Sequence, residues 1–213
     1  MKKILILFLL LPVLNLYGQW DFGISMGLDF KSAPTYRDYI NFNFAPPDNK
    51  LKSFNSSVNF SGEAGYLFNN SFQIGLEYSI VIDSYNSPLG SGGIYEISYL
   101  MHRPSVIGYY VISGAGYKFK FGGGLGLRFV SLNEEIITKS EYESSGWGFL
   151  IKGEANTLLS SNLYVLLGLD FRYDLPGELS SDVNKKITNF ATGEVVNLNA
   201  ISIGVKLGIS YLL

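Results

Sequence analysis

Apolar and polar residues alternate along most of this chain. From Trp20 to Phe30, every second residue is large and apolar, and the residues between them are polar or glycine. A period of two is typical of a β-strand with one apolar and one polar face. The same alternation returns in eight segments, at about 20–30, 54–68, 72–82, 95–112, 117–129, 147–157, 163–173 and 197–213. Each is long enough for a tilted membrane-spanning strand, which needs about 9–11 residues.

The connections between these segments alternate between short and long. Three short turns lie at 69–71, 113–116 and 160–162, and four longer, polar connections lie at 31–53, 84–94, 131–146 and 176–196. Short turns at one rim and long loops at the other are the arrangement of outer-membrane barrels. The pattern predicts an all-β fold, an eight-stranded antiparallel up-and-down transmembrane β-barrel, with no helix after the leader.

The fourth segment departs from this regular pattern. Its apolar residues Tyr95, Ile97, Tyr99 and Met101 are in phase, but the same phase would point Arg103 at lipid. An arginine on the lipid face near the bilayer midplane costs about 2–4 kcal/mol. The following residue is a proline, which cannot donate to a β-ladder. We therefore expect a β-bulge at 102–104 that resets the phase of the strand.

The N-terminus has the pattern of a secretory leader. Lys2 and Lys3 precede an apolar run at 4–14, which is shorter than the about 20 residues of a membrane-spanning helix. We predict a cleaved signal peptide at 1–18 and a single barrel domain at 19–213. Because the sequence contains no cysteine, a lipoprotein anchor, disulfides and thiol catalysis are excluded.

Composition favours a membrane barrel over a soluble barrel with an apolar interior. Charged residues make up 16% of the chain, against roughly 25% in soluble proteins, and the polar faces are largely Gly, Ser and Asn. The net charge of −2 does not suit nucleic-acid binding. Aromatic residues gather at both ends of the segments, as at two membrane interfaces: Trp20, Phe68, Phe72, Tyr117 and Tyr211 at one end, and Phe30, Phe54, Phe129, Trp147 and Tyr173 at the other. We predict an outer-membrane protein surrounded by outer-membrane lipids.

Three short stretches carry a family resemblance. They are the closing Gly208-Ile209-Ser210-Tyr211-Leu212-Leu213, the Tyr95-Glu96-Ile97-Ser98 strand, and the Gly108-Tyr109-Tyr110 that follows it. Together with the leader and the strand pattern, they resemble the small outer-membrane β-barrel family of OmpA-type and PorT-like proteins. The last segment is similar to the strand signal read by the barrel-assembly machinery, which the resemblance implies as a partner during biogenesis. The resemblance implies fold and location, and no catalytic residue.

Charged residues on the polar faces predict an ion-pair network inside the barrel. Single buried charges are costly, so we expect these side chains to pair. An odd-length turn places Glu63 opposite Glu77, and like charges directly opposite destabilise a sheet. We expect Lys120 or Lys206 to bridge that pair, and Lys152 to face Asp170. The predicted network consists of Glu63, Glu77, Lys120, Lys152, Glu154, Asp170 and Lys206.

This network has a functional and a structural interpretation. A gated pore or a proton-linked site would use the charges for transport. A structural plug would use them only to satisfy a polar interior, and it is favoured because eight strands leave little lumen.

Catalytic chemistry has little support in the sequence. His102 with Ser105 and a carboxylate could form a hydrolytic set, as in a lipid A deacylase, but a bulge residue is the simpler interpretation. One histidine without cysteine cannot supply a metal cluster, so we expect no metal and no cofactor. The glycines at 122–124 and 126 lie in a strand without a following helix. They are therefore expected to make room for larger inward neighbours rather than to cradle phosphate.

The long connections at 31–53 and 176–196 are where binding would reside. The first contains Tyr36, Tyr39, Phe42 and Phe44, which could contact an extracellular protein or a glycan. The connection could equally fold over the barrel mouth. We expect a non-enzymatic outer-membrane barrel, structural or surface-binding through these loops. The alternatives are a small channel and a lipid A-modifying enzyme.

Overall fold

Eight antiparallel strands close into one barrel in sequence order. The computed structural model describes residues 19–69, 71–89, 92–181, 183 and 185–213, so the predicted signal peptide at 1–18 lies outside the described residues. The strands are β1 (Gln19–Ser32), β2 (Asn55–Asn69), β3 (Phe72–Pro88), β4 (Ile94–Gly114), β5 (Tyr117–Glu135), β6 (Lys139–Ser160), β7 (Leu163–Leu175) and β8 (Ala200–Leu212). The predicted fold class is confirmed.

The strand register fixes the width of the barrel. A path that starts at Phe22 of β1 and passes to the register partner on each following strand returns to β1 at Ser32. This position is ten residues further along β1 than the start. The intermediate partners are Ala64, Leu76, Val106, Leu125, Phe149, Tyr173 and Ile201. Eight strands with this stagger are tilted, and they enclose an interior just wide enough for side chains to fill.

The lower part of the barrel has the surface of a membrane-spanning segment. We call this part the membrane region. Its outward side chains are exposed and apolar along every strand, as at Ile24, Leu76, Leu125 and Leu167. The predicted aromatic residues at both ends are exposed on the outside, and the ten residue steps from Trp20 to Phe30 rise about 24 Å along the barrel axis. This height matches the apolar band of an outer-membrane barrel, which is about 25 Å tall.

Four strands continue beyond this band. The upper parts of β3 to β6 form a sheet that stands on the barrel, and with the connections at 33–53 and 176–199 they form what we call the head. Strand structure therefore occupies most of the connections predicted at 84–94 and 131–146, which corrects the expectation of long loops there. The longer strands follow from their sequence, because the alternation of apolar and polar residues continues past the membrane region.

Polarity is inverted in the head. Tyr95, Ile97 and Leu132 are buried and face inward, whereas their neighbours Glu96 and Ser131 face outward. In the membrane region the apolar residues face outward instead. A strand that leaves the bilayer meets water on its outer face, so its apolar residues become the inner ones.

The predicted bulge at 102–104 is wrong for this reason. The β3–β4 register runs without a shift from Phe72↔Tyr110 to Pro88↔Ile94, and the β4–β5 register is the same on both sides of Pro104. Tyr95, Ile97, Tyr99 and Met101 face the interior, not lipid, so Arg103 enters the bore without any change of phase. The environment changes along β4, while the strand remains regular.

A helix closes the barrel mouth, contrary to the expectation of no helix after the leader. It is α1 (Pro34–Asn43), followed by a 3-10 turn (Pro47–Asn49). Pro34 suits the first turn of a helix, where its missing N–H is not needed. Tyr36, Tyr39 and Ile40 share one face and are buried in the apolar core of the head. Among the described residues, no helix is long and apolar enough to cross a membrane.

Candidate functional site

The lower half of the bore holds a compact cluster of charges. Glu63 of β2 lies directly opposite Glu77 of β3. Lys152 Nζ lies 2.7 Å from Glu63 Oε2 and 2.8 Å from Glu77 Oε2, and 2.7 Å from Glu154 Oε1. One ammonium thus neutralises the repulsion between the two facing carboxylates.

The expectation that Lys120 or Lys206 bridges this pair is wrong. Lys120 contacts Glu63 at 2.9 Å, and Lys206 approaches Glu77 only to 3.8 Å, so each reaches only one carboxylate of the facing pair. The bridging residue, Lys152, is on β6, which lies four strands from β2 in the ring of eight. Its side chain therefore crosses the bore from the opposite wall, which a comparison of adjacent strands does not predict.

Asp170 lies opposite Lys152 in the register, as expected from the sequence. Its ion pairs are formed with other residues, however. Asp170 Oδ2 lies 2.6 Å from Arg172 Nη2 and 2.7 Å from Lys206 Nζ. Glu154 pairs with Lys120 at 2.6 Å. The structure thus brings all seven predicted residues into one connected network.

Further ion pairs lie higher in the bore, and they involve residues that the sequence analysis left out. Arg103 Nη1 lies 2.7 Å from Asp29 Oδ2, and Arg103 Nη2 lies 2.8 Å from Asp174 Oδ2. Arg172 was also left out, and it belongs to the lower cluster, where its Nη2 lies 2.7 Å from Glu77 Oε1 and 2.6 Å from Asp170 Oδ2. Arg103 was missed because its strand was placed in the wrong phase. The other charged residues that were left out also lie at inward positions of the alternation. That position was the signal that could have identified them.

Opposite charges are balanced inside the bore. In the part of the chain that the structure describes, ion pairs there involve eight cationic side chains and eight carboxylates: Lys31, Arg103, Lys118, Lys120, Arg128, Lys152, Arg172 and Lys206, with Asp21, Asp29, Glu63, Glu77, Asp83, Glu154, Asp170 and Asp174. Balanced pairing reduces the cost of removing so many charges from water. A void of about 10 Å³ beside Glu63 and Lys120 leaves room for roughly one water molecule.

The inward glycines of β5 make room for the opposing side chains. A Cβ at Gly122 would lie 2.5 Å from Tyr109 Cδ1, and one at Gly124 would lie 3.0 Å from Ile107 Cα. The Tyr109 hydroxyl donates to Glu63 Oε2 at 2.6 Å. These glycines therefore allow an aromatic ring to fill the bore, in agreement with their structural interpretation.

The proposed hydrolytic set of His102 and Ser105 is not formed. His102 lies on the outside of β4, where the Tyr78 hydroxyl is 2.6 Å from its Nδ1. Ser105 is buried on the inside of the same strand, 3.3 Å from Arg128 Nη1. Residues three apart in a β-strand point to opposite faces, so the wall of the barrel separates the two side chains.

The head seals the upper end of the bore. The carboxylate of Glu134 accepts hydrogen bonds from Tyr39 of α1 at 2.6 Å and from Tyr95 of β4 at 2.9 Å. Burial and the Glu134 carboxylate raise the pKa of Tyr39, so its hydroxyl stays protonated as a donor. Phe44 stacks on Tyr95, with ring centroids 3.8 Å apart. The connection at 31–53 thus folds over the mouth, which was one of its two expected arrangements.

Among the residues of the head that the structure describes, two aromatic rings are largely exposed. Phe42 on α1 is 60% exposed, and Phe190 in the connection at 176–199 is 75% exposed. The ring of Phe190 lies 6.3 Å from that of Tyr39 and 6.5 Å from that of Phe44. Thr35 on α1 and Asn197 in the other connection exchange hydrogen bonds of 2.8 and 3.2 Å, which joins the two segments.

These features define a class of protein. An apolar outer band between two aromatic girdles, a closed ring of eight strands and a charged interior together form an outer-membrane β-barrel. The chain is an outer-membrane β-barrel protein.

Comparison with solved structures supports this class. The attachment invasion locus protein Ail of Yersinia pestis is similar at a TM-score of 0.55 and 10% identity, over 92% of this chain and 99% of that chain. A major outer membrane protein of Thermus thermophilus is similar at a TM-score of 0.57 and 14% identity, over 91% and 99%. At identities this low, the similarity shows a shared fold alone. No family model and no curated protein matches the chain, so the resemblance to PorT-like proteins stays a prediction.

Proposed function

We propose that this chain is a non-enzymatic outer-membrane barrel that binds a partner at the cell surface through its head. The observation that carries the proposal is the inversion of polarity along β3 to β6, which builds a water-facing unit beyond the membrane band. We infer that the charges in the bore are structural. They are ion-paired across the interior, and the apolar core of the head covers their upper end.

The binding surface in this proposal is formed by Phe42 and Phe190. Large aromatic rings exposed to water are typical of contact surfaces, where they supply much of the binding energy. Both rings are carried by segments that are hydrogen-bonded to each other, so the surface is ordered before a partner arrives. An extracellular protein and a surface glycan are both partners of this chemistry.

Charge narrows the range of partners. The outward side of the head sheet is acidic, because four glutamates are exposed on β4 to β6 (Glu96, Glu135, Glu141 and Glu143) and Lys139, which is also exposed there, pairs with only one of them, Glu141. Like charges across an interface oppose association. We therefore expect a partner that is neutral or basic, and not a sulfated or phosphorylated chain.

A photo-crosslinking amino acid in intact cells tests this proposal. Placed at position 42 or 190, the probe should form the same covalent adduct in both cases. A probe at Asn162, which is exposed in the short turn at the opposite end of the barrel, is the matched control. An adduct that appears equally from position 162, or none from the head positions, would contradict binding through the head.

Planar bilayers separate the proposal from the channel alternative. Because paired side chains fill the bore, the purified protein should produce no steady single-channel currents. Steady currents would instead support a small channel. Unaltered lipid A upon expression is expected, and altered lipid A would support an enzyme.

A further inference from the structure

One buried carboxylate of the head has no cation beside it. Glu134 of β5 is buried against the apolar core of the head, and among the described residues it forms no ion pair. Every other buried carboxylate in the described ranges pairs with a lysine or an arginine. A carboxylate removed from water is costly unless its charge is compensated. The negative charge of Glu134 is therefore left for a cation from outside the chain.

The hydrogen bonds of Glu134 use only one of its two carboxylate oxygens. The hydroxyls of Tyr39 and Tyr95 both donate to Oε1. A carboxylate has about four acceptor positions, which are divided between its two oxygens. No described residue donates to Oε2, and Glu134 is not completely enclosed, because 7% of its surface is exposed. A further donor can therefore bind at Oε2.

Aromatic rings lead from this carboxylate to the surface of the head. The ring centroid of Phe44 lies 5.4 Å from that of Tyr39 and 3.8 Å from that of Tyr95. The exposed ring of Phe190 lies next to both Tyr39 and Phe44. The face of an aromatic ring carries partial negative charge and attracts cations. The rings and the carboxylate thus attract the same kind of ligand.

The charges nearest to Glu134 along the sheet also favour a cation. Glu135 follows it on β5, and Glu96 lies directly opposite Glu135 on β4. Both side chains are exposed. Lys139 lies opposite Glu135 on β6, but its ion pair is formed with Glu141. A surface of one sign raises the local concentration of ligands of the other sign.

A guanidinium group suits this site better than an ammonium ion. It is planar, it stacks on aromatic faces, and it donates in a fork geometry that fits a carboxylate. The aliphatic part of an arginine side chain can also lie along apolar surface while its charged end reaches a polar group.

We propose that the head binds an arginine side chain of a protein partner. The guanidinium donates to Glu134 Oε2, and the aliphatic part of the side chain packs along Phe44 and Phe190. This inference rests on the proposed binding through the head. It restricts the partner to a protein with an exposed arginine.

Two small probes that differ in charge test the site. N-acetyl-arginine methylamide is cationic, and N-acetyl-citrulline methylamide has nearly the same shape but is neutral. Each is titrated into the purified full-length protein in a neutral detergent, and binding is measured by ligand-observed NMR. The arginine probe should bind about tenfold more tightly, as expected for a hydrogen bond between charged groups. Equal affinities, or no binding of either probe, would overturn the proposal.

Two charge-removing substitutions supply matched variants. Glu134→Gln keeps an acceptor oxygen for Tyr39 and Tyr95, so the head stays folded, and it should reduce the preference for the arginine probe to about onefold. Glu143→Gln removes an exposed carboxylate from the outward side of the head sheet and should leave the preference at about tenfold. The same reduction in both variants would mean nonspecific attraction to an acidic surface and would overturn the site.

The crosslinking experiment separates this inference from the proposed function. If positions 42 and 190 form the adduct but the two probes bind equally, the assignment to arginine is overturned and binding through the head stands. If the arginine probe is preferred and the adduct is also formed, both are supported.

Discussion

The membrane region and the head are built from the same strands, yet their interiors have opposite chemistry. On β4, Arg103 and Met101 are inward residues two positions apart, and one lies in the ion-pair network while the other lies in an apolar core. Below this boundary the surroundings are lipid, and above it they are water. Which set of side chains turns inward is therefore decided by the solvent outside, while the strand itself stays regular.

The two regions are consequently held together by different forces. The membrane region depends on charges that compensate one another across a narrow bore, where a missing partner leaves a buried charge. The head depends on apolar burial and on the few hydrogen bonds that attach α1 to the sheet. The loss of unfolding free energy caused by a substitution should therefore differ between the two regions, both in its size and in its physical cause.

The largest effect is expected in the bore. Lys152→Met removes the cation that contacts Glu63, Glu77 and Glu154. Breaking a buried ion pair from one side costs about 3–5 kcal/mol of unfolding free energy. Urea unfolding of the protein in lipid vesicles measures the loss. Lys139→Met is the control, because its pair with Glu141 in the head is exposed and is worth at most about 1 kcal/mol. Equal losses would contradict a bore in which buried charges compensate one another.

A somewhat smaller effect is expected in the core of the head. Leu132→Ala removes a fully buried side chain and should cost about 2–5 kcal/mol through lost burial and the cavity that remains. Thermal unfolding followed by circular dichroism reports the change. Ile137→Ala, at a position of the same head that is 90% exposed, should change stability by less than about 0.5 kcal/mol. If Ile137→Ala is as damaging as Leu132→Ala, the head lacks an apolar core.

The attachment of α1 should respond to the loss of a single hydroxyl. Tyr39→Phe removes the hydrogen bond to Glu134, and a bond to a charged group is worth about 1.5–3 kcal/mol. Amide hydrogen exchange in α1 should therefore accelerate about tenfold or more. Tyr36→Phe is the matched control, because within the described residues the Tyr36 hydroxyl has no hydrogen-bond partner. Unchanged exchange after Tyr39→Phe would show that apolar packing alone holds the helix.

The strands were predictable because each has one face toward the interior of the protein and the other face toward lipid or water. The alternation from Trp20 to Phe30 needs no tertiary information to be recognised, and it located all eight strands. The alternation does not show the height along the strands at which the surroundings change from lipid to water. Tyr95 and Arg103 both face inward because this boundary lies between them. The sequence does not show the boundary, so the change of polarity along β4 was interpreted as a β-bulge.

The polar network was predictable only in part, for a geometric reason. The turn after β2 was sufficient to place Glu63 opposite Glu77, since that register is local. The bridging role of Lys152 depends on the diameter and stagger of the closed ring, which relate strands that are distant in sequence. The helix had a local signal as well, because Tyr36, Tyr39 and Ile40 have the spacing of one helical face.

The smallest effect on stability should come from the rings assigned to binding. Phe42→Ser and Phe190→Ser each remove an exposed side chain and should change the unfolding free energy by about 0.5 kcal/mol or less. Both substitutions should nevertheless abolish the adduct formed by a crosslinking probe at Ala191, an exposed position beside Phe190. A loss of stability above about 1 kcal/mol would instead assign the rings to the seal over the barrel mouth. The head would then be a lid held by apolar contacts, and its exposed aromatic residues would need no partner.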